Sequence, residues 1–245
     1  MRFLSIKKSF IRSRLLMDMT DIHSHILYDV DDGIKNYKDA VVALQWLRSN
    51  GVARLFLTPH VMSDFPKNTT RYLSEAFGLF VKRLNDDEIK DIPALKLGAE
   101  YMLEPAFEKH KQGGFLTFAD RHILVETSYM MPPIGYISIL EQLMEEGYSP
   151  ILAHPERYTY MVMDDYHSLR TEGVLFQLNF LSLTGAYGRY AKEKALWLLE
   201  NGLYKFTGSD FHNLDRHKSD FLVKSLKKKQ IATLQCLIDN NKELW

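Results

Sequence analysis

This chain has one cysteine, no net charge and no long apolar run, and each of these features excludes a class of protein. Cys236 is the only cysteine among the 245 residues, so the chain cannot form an internal disulfide. The residue six positions later is Lys242, whereas a cysteine-dependent phosphatase needs an arginine there to hold phosphate. With 31 basic and 31 acidic residues, the chain has no overall attraction for nucleic acid or for an anionic membrane.

The N-terminal segment differs in character from the rest of the chain. No window in the chain approaches the roughly 20 apolar residues of a membrane-spanning helix, so the sequence predicts a soluble protein. Residues 1–18 are basic and amphipathic but lack the continuous apolar run of a signal peptide. We interpret them as a basic N-terminal extension, which is either an outer helix or a segment ahead of the true start at Met17 or Met19. An anchor at a membrane surface is the alternative.

Residues 19–245 predict a single α/β domain. Short apolar runs alternate with longer segments of helical period, a pattern typical of repeated βα units around a parallel sheet. A helix is expected between an N-cap at Asn36 and Gly51, and others over 136–146 and 189–200. Seven strands are predicted, over 20–23, 54–58, 95–99, 122–126, 150–153, 174–178 and 204–207. A chain of this length with no linker or repeat is consistent with one barrel.

Six of the seven predicted strands lead into residues that bind hard metal ions. In chain order these residues are His23, His25, His60, Glu100, Glu126, His154, Asp210 and His212. The carboxyl ends of parallel barrel strands meet at one face, so we expect these side chains to converge. The sixth strand lacks such a residue, and Asn179 is expected to contribute a hydrogen bond there. His122 begins its strand and is expected at the opposite face.

None of these signals is strong alone. His23 and His25 are two residues apart, so on a strand their side chains share a face, but a half-buried strand with hydrogen-bonded imidazoles would give the same pattern. Glu100 and Glu126 follow apolar runs, and a buried carboxylate is costly unless it is paired with arginine or bound to a metal. Five histidines at the same face favour metal ligation.

The loop after the first strand, Asp-Val-Asp-Asp-Gly, offers one more carboxylate. We assign Asp32 as a ligand and interpret Asp29 and Asp31 as solvated loop residues. The nine proposed ligands are too many for one ion and suit about three, and their nitrogen and oxygen atoms suit manganese, iron, cobalt or zinc. Four carboxylates against three divalent ions leave a net charge of about plus two, which attracts phosphate.

The motifs resemble the polymerase-and-histidinol-phosphatase (PHP) family. His-Ser-His-Ile-Leu through Val-Asp-Asp-Gly, then Thr-Pro-His, Ile-Leu-Ala-His-Pro-Glu-Arg and Gly-Ser-Asp-Phe-His-Asn are similar to those of bacterial manganese-dependent protein-tyrosine phosphatases of capsule and exopolysaccharide loci. The resemblance extends from about Asp21 to the C-terminus. Phe211 departs from the small residues common at its position. The implied fold is a distorted (β/α)7 TIM-like barrel, the PHP fold.

The resemblance implies hydrolysis of protein phosphotyrosine at two or three divalent ions, chiefly Mn2+. A hydroxide bridging two ions would attack phosphorus in line. Arg157 and Arg216 can reach over the metals and hold phosphate, since a guanidinium matches a phosphoryl group. The implied substrate is the tyrosine-rich tail of a membrane tyrosine kinase of polysaccharide export, which implies a cytoplasmic location.

Four other functions stay open at this point. A histidinol-phosphate or other small-molecule phosphatase would share the metals and arginines. A nuclease of the same superfamily would need a basic track for a polyanion, which the sequence does not supply near the ligands. A non-catalytic docking module would not need an intact ligand set. Amidohydrolases also begin with His-x-His, but they do not usually place ligands after the second and third strands.

Overall fold

The structure is a computed structural model that describes residues 7–223 and 225–245. Residues 1–6 of the predicted basic extension lie outside the described residues. Nine strand segments occur in the described part of the chain: β1 Met19–Asp21, β2 Val52–Leu57, β3 His60–Val61, β4 Ala94–Leu97, β5 Glu100–Met102, β6 His122–Glu126, β7 Ser149–Ala153, β8 Leu175–Asn179 and β9 Phe206–Gly208.

The nine segments make up the seven strands of the barrel, because β3 continues the path of β2 and β5 continues that of β4. The segments form two sheets, β1-β2-β4 and β3-β5-β6-β7-β8-β9, and the strand pairs within both are parallel. Pro59 lacks the N–H needed for a continuous ladder. At Gly98 a Cβ would lie 2.8 Å from the Phe118 ring. Two predicted strands are interrupted near their carboxyl ends, one at Pro59 and the other at Gly98.

The barrel closes between its first and last strands, β1 and β9, through contacts just beyond their carboxyl ends. Asp210 N donates to His23 O at 2.9 Å, and His25 N donates to Phe211 O at 2.8 Å. Gly208 permits this approach, since a Cβ there would lie 2.7 Å from Cβ of His23. The predicted distorted (β/α)7 barrel is confirmed by this arrangement.

Helices cover the outside of the barrel. They are α1 Phe10–Ser13, α2 Tyr37–Ser49, α3 Thr70–Asp86, α4 Phe107–His110, α5 Tyr136–Glu145, α6 Met163–Glu172, α7 Phe180–Thr184, α8 Gly188–Glu200, α9 Leu214–Phe221 and α10 Lys228–Asn240. Short 3-10 turns occupy Lys111–Gly113, Pro155–Arg157 and Asn241–Leu244. The cap predicted for α2 is present, because the Asn36 side chain accepts from Asp39 N.

The described part of the N-terminal segment packs on the barrel. Phe10 is fully buried, with its ring centroid 4.9 Å from that of Phe180 and 5.3 Å from that of Phe221. Lys8 and Leu226 pair through two backbone hydrogen bonds. Among the described residues, no helix has the length and apolar character to cross a bilayer.

Candidate metal centre

All nine predicted ligands meet at the carboxyl end of the barrel. Their donor atoms form four overlapping groups, each compact enough to hold a metal ion: His25, Asp32, His60 and His212; His23, His25 and Asp210; His23, Glu100 and His154; His60, Glu100 and Glu126. The parallel strands bring them together, since β3 and β5 set His60 directly beside Glu100 in register. His122, as expected, begins β6 at the other end of that strand.

Glu100 lies at the middle of the cluster and is fully buried. Its Oε2 atom lies 3.1 Å from His23 Nε2, 3.3 Å from His25 Nε2 and 3.2 Å from His60 Nδ1. Its Oε1 atom lies 3.0 Å from His154 Nε2. One carboxylate thus contacts four imidazoles and belongs to two of the four donor groups.

His23 and His25 are oriented by contacts at their Nδ1 atoms, on the side of each ring away from the cluster. His23 Nδ1 lies 3.0 Å from Gln177 Oε1, and His25 Nδ1 lies 2.7 Å from Asp31 Oδ2. Each Nδ1 faces an oxygen and so acts as the donor, which leaves a lone pair on each Nε2 of the neutral rings. These two Nε2 atoms are only 3.1 Å apart. A cation relieves the repulsion between the lone pairs, as in a metal site whose histidines are held by outer hydrogen bonds.

The interpretation of Asp31 as a solvated residue is wrong. Asp31 is buried, and besides its contact with His25 it accepts from Gly33 N and from His60 N, both at 3.0 Å. Burial opposes the charge, but His25 outweighs it and lowers the Asp31 pKa. An aspartate two residues before a glycine often accepts from that glycine's N–H, and this turn signature was the missed signal. Gly33 is required, because a Cβ there would lie 2.1 Å from His25 O.

Asp32 is the outermost of the predicted ligands, with a side chain that is 61% exposed. Its Oδ1 atom lies 3.4 Å from both His60 Nε2 and His212 Nε2. Hydrogen bonding to His212 and His60 lowers the Asp32 pKa. This loop carboxylate therefore closes the cluster on its solvent side, where the sequence predicted it.

Glu126, His154 and Asp210 complete the cluster. Glu126 Oε1 lies 2.8 Å from His60 Nδ1, and Glu126 Oε2 lies 4.0 Å from His154 Nε2. His154 and Asp210 have φ values of 34° and 52°, in the left-handed region that non-glycine residues seldom adopt. Both follow barrel strands, and strained backbone of this kind is concentrated at functional sites.

The buried polar atoms provide a test of whether metal ions fit. Glu100 Oε2, Glu126 Oε1, His60 Nδ1 and His154 Nδ1 are buried, and although some of them lie close to one another, none makes a hydrogen bond of good geometry among the described residues. An unsatisfied buried polar group costs about 1–3 kcal/mol. Two of these atoms belong to carboxylates that sit against imidazole nitrogens, and nitrogen and oxygen donors of this kind suit divalent metals. The cluster therefore fits divalent metal ions.

The electrostatics agree with this fit. Burial opposes ionisation throughout, but neighbouring imidazoles hold the pKa values of Glu100 and Asp210 well below their usual range. Carboxylates in turn outweigh burial and raise the pKa values of His25, His60 and His212 well above theirs. Metal ions bind the neutral form of imidazole, so binding of divalent ions is accompanied by release of any protons that these rings carry.

Arg157 lines a cavity of about 350 Å³ above the cluster. Its Nη1 atom lies 2.9 Å from Asp210 Oδ2. The guanidinium lies between two aromatic rings, with Cζ 4.2 Å from the centroid of Tyr129 and 4.1 Å from that of Tyr187. A carboxylate and two π faces therefore fix its position. The expected contact of Asn179 is also present, since Asn179 Nδ2 donates to Asp210 Oδ2 at 2.7 Å.

Arg216 lines the same cavity but is held less firmly. Its Nη2 atom donates to Ala186 O at 3.3 Å, and its Cζ lies 4.8 Å from the Tyr187 ring centroid. Tyr187 thus stands between the two arginines. Tyr187 was not predicted from the sequence. No local signal marks it, because its role depends on its place between segments that are distant in the chain.

Comparison with known proteins identifies the family. Residues 19–241 match the family described as "Capsular polysaccharide synthesis, CpsB/CapC". The chain belongs to this family. The resemblance stated from the motifs is therefore confirmed.

Several relatives are similar to this chain over most of their length. The putative tyrosine-protein phosphatase CapC of Staphylococcus aureus is 30% identical over 85% of this chain and 82% of its own. Tyrosine-protein phosphatase YwqE of Bacillus subtilis (strain 168) is 29% identical over 92% and 91%, respectively. Tyrosine-protein phosphatase CpsB of Streptococcus pneumoniae is 29% identical over 92% and 98%.

Solved structures agree with the family assignment. A structure described with YwqE of Bacillus subtilis and CpsB of Streptococcus pneumoniae as "unique metal-dependent tyrosine phosphatases" matches with a TM-score of 0.81 and 27% identity, over 92% of this chain and 94% of that one. A probable 2-pyrone-4,6-dicarboxylic acid hydrolase of Acinetobacter baumannii matches with a TM-score of 0.52 and 16% identity, over 93% and 99%. The second likeness concerns the fold alone.

The contact between Asp31 and His25 leads to a test of the metal site. The Asp31→Asn variant keeps the shape of the side chain but removes the anion behind His25. Loss of such a partner costs about 10- to 100-fold in metal affinity. Titration of chelated protein with a divalent metal measures the change. Asp29→Asn, an exposed neighbour, is the matched control, and equal affinities for the two variants would contradict the assigned role of Asp31.

Proposed function

We propose that this protein is a metal-dependent phosphomonoesterase that hydrolyses phosphotyrosine in a protein substrate. Three relatives named as tyrosine-protein phosphatases and a similar structure described as a metal-dependent tyrosine phosphatase confirm the enzyme class predicted from the motifs. The observation that carries the proposal is the convergence of nine donor side chains beneath a fixed guanidinium.

The assigned metal ligands are the nine side chains of the cluster: His23, His25, Asp32, His60, Glu100, Glu126, His154, Asp210 and His212. Bound divalent ions supply Lewis acidity toward phosphoryl oxygens and lower the pKa of water. Among the candidates manganese is proposed as the physiological metal, because mixed carboxylate and imidazole donors suit it and the family resemblance favours it.

Arg157 and Arg216 are assigned to the phosphoryl group. Both line the cavity over the cluster, where guanidinium N–H groups can donate to phosphate oxygens in a bidentate manner. Asp210 and the rings of Tyr129 and Tyr187 hold Arg157 in place before substrate arrives. This arrangement limits the entropy lost when phosphate binds.

A tyrosine leaving group places modest demands on the protein. Its phenol has a pKa of about 10, so the phenolate departs far more readily than a serine alkoxide and needs no dedicated general acid. The chain's own residues therefore need to bind, orient and neutralise the phosphate. This requirement favours phosphotyrosine over phosphoserine.

The proposed partner is a membrane tyrosine kinase of polysaccharide export, with this protein acting from the cytoplasm. The family's description, capsular polysaccharide synthesis, supports this context. The substrate would be a phosphorylated tyrosine in an accessible segment of the kinase, since the cavity opens at the loop face of the barrel.

A phosphatase assay with defined metals tests the proposal. Chelated protein is reloaded separately with manganese, zinc or iron and given a phosphotyrosyl peptide, the matching phosphoseryl peptide and histidinol phosphate. We expect manganese to restore the highest activity and the phosphotyrosyl peptide to give the highest kcat/KM. Preferential turnover of histidinol phosphate would instead identify a small-molecule phosphatase, and failure of every metal to restore activity would refute metal dependence.

A further inference from the structure

A second cavity, which we call the apolar groove, opens beside the metal centre. It has a volume of about 650 Å³, within the range of about 300–1,000 Å³ typical of binding pockets. Its walls are formed by residues 127–134, by residues 102–105 and by Met62 and Asp64. Tyr129 lines both the apolar groove and the cavity over the metal cluster. The two cavities are therefore adjacent, with one side chain as their shared wall.

The loop that forms one wall exposes several large apolar side chains. Met130, Met131 and Ile134 are 74%, 69% and 89% exposed, although each could have been polar at no cost to the barrel core. Contiguous exposed apolar surface of this kind marks interaction sites. Methionine side chains also adapt to different apolar partners.

The base of this loop is held in place, so the apolar groove is formed before a ligand binds. Thr159 donates to Tyr129 O twice, from N at 2.8 Å and from Oγ1 at 2.9 Å. The hydroxyls of Thr127 and Tyr160 are 2.6 Å apart. Pro132 and Pro133 follow the exposed methionines and restrict the backbone there. The exposed tip therefore stands on a fixed support.

The charge of the apolar groove differs from that of the metal cavity. Asp64 and Glu104 lie in its wall, and no lysine or arginine is among the described residues that line it. The metal cavity contains Arg157 and Arg216 beside the ligand carboxylates Asp32 and Asp210. A ligand that spans both cavities would place its phosphate on the arginines, with apolar and non-acidic groups in the apolar groove.

We propose that the apolar groove binds the peptide segment next to the phosphotyrosine of the protein substrate, through its apolar side chains. This inference rests on the proposed function. The residues on either side of a phosphotyrosine seated over the metals stay close to that tyrosine, because successive residues of an extended chain are about 3.5 Å apart. Tyr129 is the wall that the metal cavity and the apolar groove share. The groove therefore selects substrates by the residues around the tyrosine.

Two phosphotyrosyl peptides that differ only in flanking residues test this selection. One carries leucines on both sides of the phosphotyrosine, and the other carries aspartates. The manganese-loaded protein is expected to favour the leucine peptide by about tenfold in kcat/KM, chiefly through KM, since buried apolar side chains contribute on this scale. The triple variant M130S/M131S/I134S is expected to lose most of that preference.

The matched control is Leu79→Ser, which replaces a 69% exposed leucine on α3 outside the apolar groove. It should keep the full preference. Turnover of para-nitrophenyl phosphate, which has no peptide flanks, is measured for each protein. It reports whether the metal centre is intact, and the activity on each peptide is divided by it. Equal use of both peptides by the unaltered protein, or an undiminished preference in the triple variant, would overturn the role of the groove. A protein that hydrolyses para-nitrophenyl phosphate but neither peptide would overturn the proposed function itself.

Discussion

Replacing Glu100 by glutamine is expected to abolish phosphatase activity. The side chain keeps its shape but loses the anion that contacts His23, His25 and His60 at 3.1–3.3 Å through Oε2. A neutral amide would hold divalent ions less strongly than a carboxylate, and bound metal ions would contribute several kcal/mol to stabilising the charge of the transition state. Because about 1.4 kcal/mol corresponds to a factor of ten, we expect kcat/KM to fall on the order of 10³-fold or more.

Elemental analysis of the same Glu100→Gln preparation should show a loss of bound metal. The matched control is Glu108→Gln on α4, where the glutamate is exposed and lies outside the cluster. We expect that variant to keep its metal and its activity. A Glu100→Gln protein with normal metal content and normal turnover would mean that the central carboxylate is not a ligand, and the assignment of the whole cluster would then fail.

Replacing Arg157 by alanine is expected to reduce activity severely without emptying the metal site. The guanidinium contacts Asp210 but is not itself a donor to cations, so its loss leaves the nine ligands in place. A charge-assisted bidentate contact to phosphate contributes about 1.5–3 kcal/mol. We therefore expect kcat/KM to fall by about 10- to 100-fold or more, with metal content close to that of the unaltered protein.

Two further variants separate the effect of charge from that of geometry. Arg157→Lys keeps the positive charge but loses the planar fork that lies between Tyr129 and Tyr187, so only partial recovery relative to alanine is expected. Arg189→Ala removes an exposed arginine that pairs with Glu193 and should have no effect. Full activity in Arg157→Ala would exclude this arginine from phosphate binding.

The barrel fold could be predicted from the sequence because the patterns that indicate it are local. Alternating apolar runs and helical segments identify βα units, and Asn36 caps α2 as its sequence context predicts. The breaks at Pro59 and Gly98 were less accessible. At Gly98, the Phe118 ring from another part of the chain occupies the space that a Cβ would need.

The same distinction holds within the site. His60 and Glu100 could be placed together from the sequence, since each ends a strand path and parallel neighbours align their ends. Asp31 and Asp32 are adjacent in one loop. The spacing of Asp31 before Gly33 indicates a turn that Asp31 caps, but it does not show that Asp31 is buried behind His25. That burial depends on the fold of the loop, in which His60 N and Gly33 N both donate to Asp31.

The sequence alone determined the kinds of donor atom and the face of the barrel that carries them, because strand direction and side-chain alternation are local properties of the chain. Only the tertiary structure decided that Glu100 contacts four imidazoles, that Tyr187 stands between two arginines and that Tyr129 separates the metal cavity from the apolar groove. These relations are distances between segments far apart in the chain. They are fixed by packing of the closed barrel, which no single segment encodes.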